Sequence, residues 1–480
     1  MAIERRQTEK GSFPKHLPNA LRVIPLAILR RVEILSILIR KSTYMAKSKI
    51  TAKKQPARFL TARETADALG VSLATLYAYV SRGMLRSEPV SGNPRERRYL
   101  RDDVARLVER KEIRRDPNKA AARSLSWGAP VLDSSLTLID GGRLYYRGRD
   151  ALELAGQSTV EEVAALLWTG DPGRAGALFE KSNGGVPRGL RGLFTKASHL
   201  GMVERCQLAL PVGAATDLGA YDLRPEAVAR TGARILRLLT FAVCGAQAAG
   251  PVDVALQESW LPRRKAAAPA LRAALILCAD HELNVSAFTA RCVASARATP
   301  YEVVAGALAA LKGRRHGGYT SEVEALFREA GKARGPREIL ADRLRKGDGL
   351  IGFGHPLYPD GDPRAVVLLS FAKKFGRGSA LEWSDEFIEM ARDLTGEHPT
   401  IDFALVILAR SLGLPAGAPL TLFALGRAVG WIAHAIEQYD DSRMIRPRAR
   451  YVGPAPESPA ANRAESISGK LSLSGRDGQG

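Results

Sequence analysis

Cysteine is scarce. The chain has four in 480 residues (Cys206, Cys244, Cys278 and Cys292), none in Cys-x-x-Cys spacing and all in apolar or helical-looking stretches. That pattern offers no thiolate zinc site and reads as reduced core thiols of a cytoplasmic protein. Long apolar runs are also missing: none approaches the ~18 uninterrupted residues of a membrane span, and the longest candidate, 21–39, is broken by Arg22, Arg30, Arg31 and Glu33. Acidic residues are short in one place. Residues 1–126 hold 28 Lys+Arg against 12 Asp+Glu, whereas the other 354 hold 43 against 38, so +16 of the net +21 sits in the first quarter. Such a distribution fits a nucleic-acid-binding module appended to a near-neutral domain. With 45% hydrophobic and 25% charged residues, the chain can bury a sizeable core and has room for two to four domains.

Residues 1–44 carry nine basic and three acidic side chains and could form a basic amphipathic helix near 19–41. A mitochondrial-type presequence shares that character. The favoured reading is an upstream extension without a role in the fold, because Met45-Ala46-Lys47 and the Lys-rich tether after it look like a start just ahead of a domain. Residues 1–57 are therefore expected to be a basic extension, disordered or partly helical.

The first domain is expected over 58–112. Thr61 and Glu64 have capping-box spacing, Ala66 and Leu69 supply an apolar face, and Gly70 suits the end of the helix. Ser72 re-caps a second helix over 73–82, stopped by Gly83, with Leu76, Val80 and one tyrosine in the core. Two short helices joined by a glycine-containing turn form a helix-turn-helix signature. A hairpin with a turn at Ser91-Gly92-Asn93-Pro94 and Arg95, Arg97, Arg98 and Tyr99 follows, and Arg101-Asp102-Asp103-Val104 opens a third helix. In this order the elements resemble the winged helix-turn-helix of the MerR/excisionase type. The resemblance implies that Ser72, Thr75, Tyr77 and Tyr79 lie on or near a recognition helix in the major groove of DNA. It places Arg82, Arg86, Arg95, Arg97 and Arg98 against phosphates.

Residues 113–126 read as a linker. Beyond Trp127, a strand over 134–139, an Asp140-Gly141-Gly142-Arg143 turn and Leu144-Tyr145-Tyr146-Arg147-Gly148 predict a β-hairpin. Apolar residues at three- and four-residue spacing then predict helices over 160–168, 228–243, 268–281, 300–312, 321–330, 362–375, 385–394, 401–412 and 420–438. The fold class is mainly α. Residues 453–480, rich in Pro, Ser and Gly, are expected to be a disordered tail.

Three of the seven histidines sit at polar or glycine-rich breaks: His281 in Asp280-His281-Glu282-Leu283-Asn284, His316 before Gly317-Gly318, and His355 in Gly352-Phe353-Gly354-His355. Asp402 stands at the start of an apolar helix, where the helix terminus favours a carboxylate and apolar surroundings raise its pKa, the makings of a base. Arg364, Arg427 and Arg446 can grip carboxylates. Together with Asp362-Pro363-Arg364, Ile401-Asp402-Phe403, the 427–434 stretch Arg-Ala-Val-Gly-Trp-Ile-Ala-His and Arg446-Pro447-Arg448, these pieces resemble the citrate synthase family over 127–452.

The resemblance implies a two-domain helical subunit in a homodimer, with a small subdomain at about 318–415 and the active site in the cleft. By motif match, Asp402 takes a methyl proton from acetyl-CoA and His316 stabilises the enol. His355 holds and protonates the oxaloacetate carbonyl. His281, Arg364, Arg427 and, across the dimer, Arg446 bind carboxylates. No metal or redox cofactor is implied, and acetyl-CoA is a substrate. The chain departs from the family at Pro356 and Pro359, the latter standing where a Lys or Arg usually meets the phosphates of CoA. It departs also at Arg314-Arg315, Thr320 and Thr400.

Three functions follow as expectations: a citrate synthase that also carries a DNA-binding domain; a transcription regulator sensing a di- or tricarboxylate or an acyl-CoA through the cleft; and a related acyl-CoA enzyme such as a 2-methylcitrate synthase or citryl-CoA lyase.

Overall fold

The computed structural model describes residues 59–90, 93–101 and, within 102–131, only 103, 104, 107 and 108. From Leu132 it describes the chain to Pro454 except 181–185, 188, 246–249, 331–334, 348 and 442. The expectations for 1–57, for the linker and for the tail beyond 454 lie outside the described residues. The chain divides into two compact units, Met1–Leu132 and Asp133–Gly480.

In the first unit, β1 (Phe59–Thr61) runs into α1 (Ala62–Leu69) through a complete capping box. Glu64 N–H donates to Thr61 Oγ1 at 3.3 Å, and Thr61 N–H donates to the Glu64 carboxylate at 2.8 Å. Gly70 closes the helix at φ +59°, a conformation that only glycine adopts cheaply. Ser72 then caps α2 (Leu73–Ser81) by accepting Thr75 N–H at 3.2 Å. Strands β2 (Ser87–Val90) and β3 (Asn93–Leu100) form an antiparallel hairpin, and β1 pairs with β3, giving the order β1-β3-β2. Leu60, Ala66, Leu69, Leu76, Leu85, Tyr99, Val104 and Leu107 make the core. The tyrosine that fills this core is Tyr99 from the hairpin. Val80 and Tyr79 only line the core's edge.

The second unit begins with β4 (Thr137–Asp140) and β5 (Arg143–Tyr146), joined through Gly141 and Gly142 at φ +55° and +74°, the two positive values that a tight hairpin turn demands. A short β6 (Arg149–Asp150) adds a third strand. Helices follow: α3 (Ala151–Gln157), α4 (Val160–Thr169), α5 (Ala175–Glu180), α6 (Leu190–Lys196), α7 (Met202–Thr216), α8 (Pro225–Cys244), α9 (Val252–Trp260), α10 (Ala268–Cys278), α11 (Val285–Ser295), α12 (Pro300–Leu311), α13 (Tyr319–Ala330), α14 (Pro336–Lys346), α15 (Pro363–Phe375), α16 (Ser379–Thr395), α17 (Ile401–Leu412) and α18 (Ala418–Asp440).

The hairpin and all nine helices read from periodicity are present, with shifted ends. Helix α10 stops at Cys278, three residues before its expected end, because Tyr146 Oη donates to the Ile276 carbonyl and Glu282 takes φ +50°. Of the helices that periodicity does not reveal, α7 contains Pro211, α11 turns small or polar side chains inward (Ser286, Ala287, Ala290, Arg291, Ala294), and α14 is largely charged.

Helix α18 is the axis of the unit, with α4, α8, α10, α11 and α12 packed around it. It is long and apolar enough to cross a membrane, yet 94% of its most apolar window is buried inside the protein, as a core helix should be. Helices α13–α17 pack chiefly on one another around Phe327, Phe353, Trp383, Phe387 and Phe403. They meet the α18 bundle through α17 on α18 and α15 on α10.

Close approach of α18 to the end of α10 depends on glycine. A Cβ at Gly430 would strike the Ala279 carbonyl oxygen and the Asp280 side chain. Gly430→Ala is expected to destabilise the fold by about 1–3 kcal/mol, read as a lowered Tm. It should also raise KM for whatever the neighbouring His281 binds.

Candidate active site

The glycine loop is held from both ends. Gly352 and Gly354, at φ +83° and +72°, flank Phe353, whose ring packs on Phe403 (4.9 Å between centroids) and Phe387 (5.6 Å). Thr400 N–H donates to the Gly352 carbonyl at 2.8 Å and Gly354 N–H to the His398 carbonyl at 2.9 Å, so the loop is tied to the chain entering α17. Leu357 N–H donates to His355 Nδ1 at 3.2 Å, which leaves the imidazole proton on Nε2. Burial pulls the pKa of His355 down to about 4, so in the empty cleft it is a neutral donor.

Asp362 caps α15 and collects four donors. Its Oδ1 accepts Arg364 N–H (3.0 Å) and Nε–H (2.9 Å), and its Oδ2 accepts Arg364 Nη2–H (2.8 Å) and Ile401 N–H (3.0 Å). Burial alone would raise the pKa of this carboxyl, but Arg364 and the donated N–H groups hold it below the ordinary value. The fork occupies two faces of the Arg364 guanidinium and leaves Nη1 for another anion.

His281 lies at the bend after α10, with Nε2 3.1 Å from Tyr358 Oη and its ring edge-on to His355, 5.3 Å between centroids. Tyr358 also underlies Arg364, 5.3 Å from its Cζ. Burial foremost, then Arg364 and Arg427, push the pKa of His281 well below its usual value. Arg427, 1% exposed on α18, donates from Nε to the Cys278 carbonyl at 2.6 Å and lies over Phe423. Behind it, the buried Asp280 carboxylate is held by His434 Nε2 at 3.2 Å and Thr137 Oγ1 at 2.5 Å.

His316 stands edge-on to Phe423, 6.0 Å away, with Nε2 2.9 Å from Ser286 Oγ. Trp431 Nε1–H donates to the same oxygen at 3.1 Å, and Asn284 Oδ1 already accepts two backbone N–H groups from α11. The Ser286 hydroxyl also lies 2.9 Å from Asn284 Oδ1, so its one proton has two acceptors within reach, Asn284 Oδ1 and His316 Nε2. Burial lowers the pKa of His316 to about 3, so it is a neutral hydrogen-bond donor.

Asp402 is the second residue of α17. Its Oδ1 is buried with no hydrogen-bond partner, and burial raises its pKa to about 7 against the opposing pull of Arg364 and Arg427. A carboxyl that burial disfavours as an anion, and that two buried guanidiniums only partly offset, is poised to take a proton near neutral pH. The guanidiniums in turn are poised to hold a dianion.

Six of the seven expected site residues thus occur in this one region, tied through shared hydrogen bonds, ring contacts and mutual electrostatic influence. The seventh, Arg446, is exposed on the segment after α18, and no described contact brings it to the others. Ser286, Tyr358, Asp362, Asp280 and Trp431 were given no role from sequence. Each lies in or beside a quoted motif, but only the contacts reveal what it does. At the departures, Thr320 and Thr400 satisfy their own hydroxyls on the Gly317 and Gly352 carbonyls, Arg314 pairs with Glu322 at 3.0 Å, and Arg315 is exposed. The four thiols are free. Cys206 and Cys278 are buried and pushed up to about 12, whereas Cys244 and Cys292 are only half-buried.

In the first unit Tyr77 and Arg82 are exposed, and Arg97 is exposed on β3 with its guanidinium on Ser87. Ser72 and Thr75 hydroxyls bond each other at 3.0 Å. Tyr79 is half-buried against the core, and Arg98, on β3, bonds Glu88 (3.2 Å) and lies over the Phe59 ring (4.0 Å). Arg86 is likewise forked onto Asp103. The Arg95 side chain lies outside the described residues.

The family model "Citrate synthase, C-terminal domain" matches residues 121–448, and "Helix-turn-helix domain" matches 59–112. Citrate synthase 2 of Bacillus subtilis is 31% identical over 359 residues, 70% of this chain and 96% of the relative. A 2-methylcitrate synthase of Mycobacterium tuberculosis is 30% identical over 348 residues, 65% of this chain and 84% of its own. Among solved structures, the ternary complex of carboxymethyl coenzyme A and oxaloacetate with citrate synthase from Thermoplasma acidophilum aligns with a TM-score of 0.58 at 25% identity, covering 70% of this chain and 97% of that one.

The raised pKa of Asp402 carries a stability consequence. Its value in the fold, about 7, exceeds the ordinary 3.8, so the fold tolerates the carboxyl fully below about pH 4 and loses stability as pH rises toward 7. Asp402→Asn is expected to raise Tm at pH 8, by up to a few kcal/mol of stability, and to raise it less at pH 5. Thermal melts at the two pH values check this; equal shifts would contradict it.

Proposed function

Because the chain belongs to the citrate synthase family, whose members are acyl-CoA-condensing acyltransferases, we propose that its cleft joins acetyl-CoA to oxaloacetate and, with water, yields citrate and CoA. Asp402 removes a proton from the acetyl methyl group while the neutral His316 ring donates its N–H to the thioester oxygen. The enol this forms is within reach of a weak base only because the developing oxyanion is met by a donor. The enol carbon then bonds to the ketone carbon of oxaloacetate, and His355 Nε2–H delivers its proton to the ketone oxygen. Arg364, Arg427 and His281 hold the carboxylates in line, and a dianion between the guanidiniums raises the proton affinity of His355, so that the ring enters this step as an imidazolium, with a proton on Nδ1 in place of the Leu357 N–H bond, and leaves it neutral. Arg446 comes from the other subunit of a homodimer in the cytoplasm. Water cleaves the citryl thioester and releases CoA.

The observation that carries this reading is the Asp402 carboxyl, one oxygen of which is buried without a hydrogen-bond partner within the electrostatic reach of Arg364 and Arg427. Similarity to 2-methylcitrate synthases supports propionyl-CoA as the competing acyl donor. The regulator reading is supported by Pro359, which leaves the CoA side without the family's cation, and by the basic first unit. In that unit, residues 59–112 act as a winged helix-turn-helix of the MerR/excisionase type that binds DNA, with the β2–β3 hairpin as the wing.

Thiol release from acetyl-CoA and from propionyl-CoA, each with oxaloacetate, decides among these readings. The expected result is turnover with a preference for acetyl-CoA, a kcat that falls as pH drops through about 7, and a loss of roughly 10²-fold or more in Asp402→Ala. A preference for propionyl-CoA selects the methylcitrate reaction, and no release with either leaves the regulator. Tyr358→Phe should raise KM for oxaloacetate more than it lowers kcat, since it removes the partner of His281 Nε2 without touching Asp402.

A further inference from the structure

We propose that the exposed face of α2 reads thymine, binding the C5-methyl groups in the major groove of an A·T-rich duplex. The proposal rests on the DNA-binding reading of the first unit. Helix α2, Leu-Ala-Thr-Leu-Tyr-Ala-Tyr-Val-Ser, contains no Arg, Lys, Asn, Gln, Asp, Glu or His, the side chains that pair with base edges. Its aliphatic hydroxyls are committed: Ser72 Oγ accepts Thr75 N–H and bonds Thr75 Oγ1, and Ser81 Oγ donates to the Ala78 carbonyl. What the helix offers outward is mainly apolar, with the Tyr77 phenol oxygen its one large polar tip. Leu73 is 44% and Tyr77 53% exposed, four residues apart on one face with the exposed Ala74 beside them, while the helix turns inward at Leu76, which is fully buried.

The charge around that face selects a polyanion as its occupant. Arg63 at the start of α1, Arg82 at the end of α2 and Arg97 on β3 are exposed and have no acidic partner among the described residues. The other described hairpin cations, Arg86 and Arg98, are already paired with Asp103 and Glu88. Arg82 directly follows the last residue of α2, so a cation without an acidic partner among the described residues stands at the end of the helix itself. Free cations bordering an apolar strip match phosphates bordering a groove floor. Thymine is the base that places an apolar group on that floor. A helix of this composition therefore discriminates by methyl contact, whereas an arginine- or asparagine-bearing helix would do so by bidentate hydrogen bonds.

The test is fluorescence anisotropy of the full-length protein with a labelled alternating d(AT) duplex and the same duplex carrying deoxyuridine at every thymidine. That exchange deletes the methyl groups and keeps every hydrogen-bonding group. The expected loss is about four-fold for each methyl that the helix desolvates, and about ten-fold or more in total. A G·C duplex should gain affinity when its cytosines carry 5-methyl groups. Leu73→Ala, whose side chain lies outside the core and so leaves Tm unchanged, should bind the thymidine duplex about as weakly as wild type binds the deoxyuridine one. Equal affinity of wild type for the two duplexes overturns methyl reading while leaving DNA binding standing. No binding to any duplex at low salt overturns both and assigns the face to a protein partner.

Discussion

The candidate site hangs on the buried fork between Asp362 and Arg364. One carboxylate caps α15, holds the guanidinium in a fixed plane and accepts the Ile401 N–H at the start of α17, so three elements of the site move as one. Losing either partner would strand a charge in a place where water cannot reach it, a change that typically removes several kcal/mol of stability. The fork therefore aims Arg364 and positions the helix end that carries Asp402, and neither function can be adjusted without the other.

The charge balance of the cleft follows from that constraint. Arg364 has Asp362, and Arg427 has Asp280 behind it, but Asp402 has no hydrogen-bond partner for Oδ1 and the three histidines are held neutral chiefly by burial. Such a cleft is strained when empty and suited to a dianion together with a substrate whose proton Asp402 can accept. In the empty cleft His316 and His355 are neutral, each with one ring proton to donate. Their partners, Ser286 and the Leu357 N–H, are fixed by the fold before any substrate arrives.

Much of this was legible in the sequence. The capping box at Thr61, the glycines at 70, 141 and 142, and the periodic helices state their structure locally, and the structure agrees with them. Six site residues could be picked out because a histidine or acid in an otherwise apolar helical chain needs a reason. What could not be read depends on long-range contact. Ser286 sits in a helix whose inward face is small and polar, so neither helix nor residue announced itself. Tyr358 became visible only as the partner of His281, and the contacts of Tyr79 with the core and of Arg98 with Glu88 and Phe59 depend on positions that no local pattern specifies.

The most direct measurement of the cleft's charge design is calorimetric titration of the full-length protein with oxaloacetate and, separately, with pyruvate, which has the same ketone but a single carboxylate. Two buried guanidiniums matched to two carboxylates lead to clear binding of oxaloacetate and at least about ten-fold weaker binding of pyruvate, the loss of one charge-assisted contact. Equal affinity for the two, or no binding of oxaloacetate at all, would contradict the assignment of Arg364 and Arg427 as a paired dicarboxylate grip.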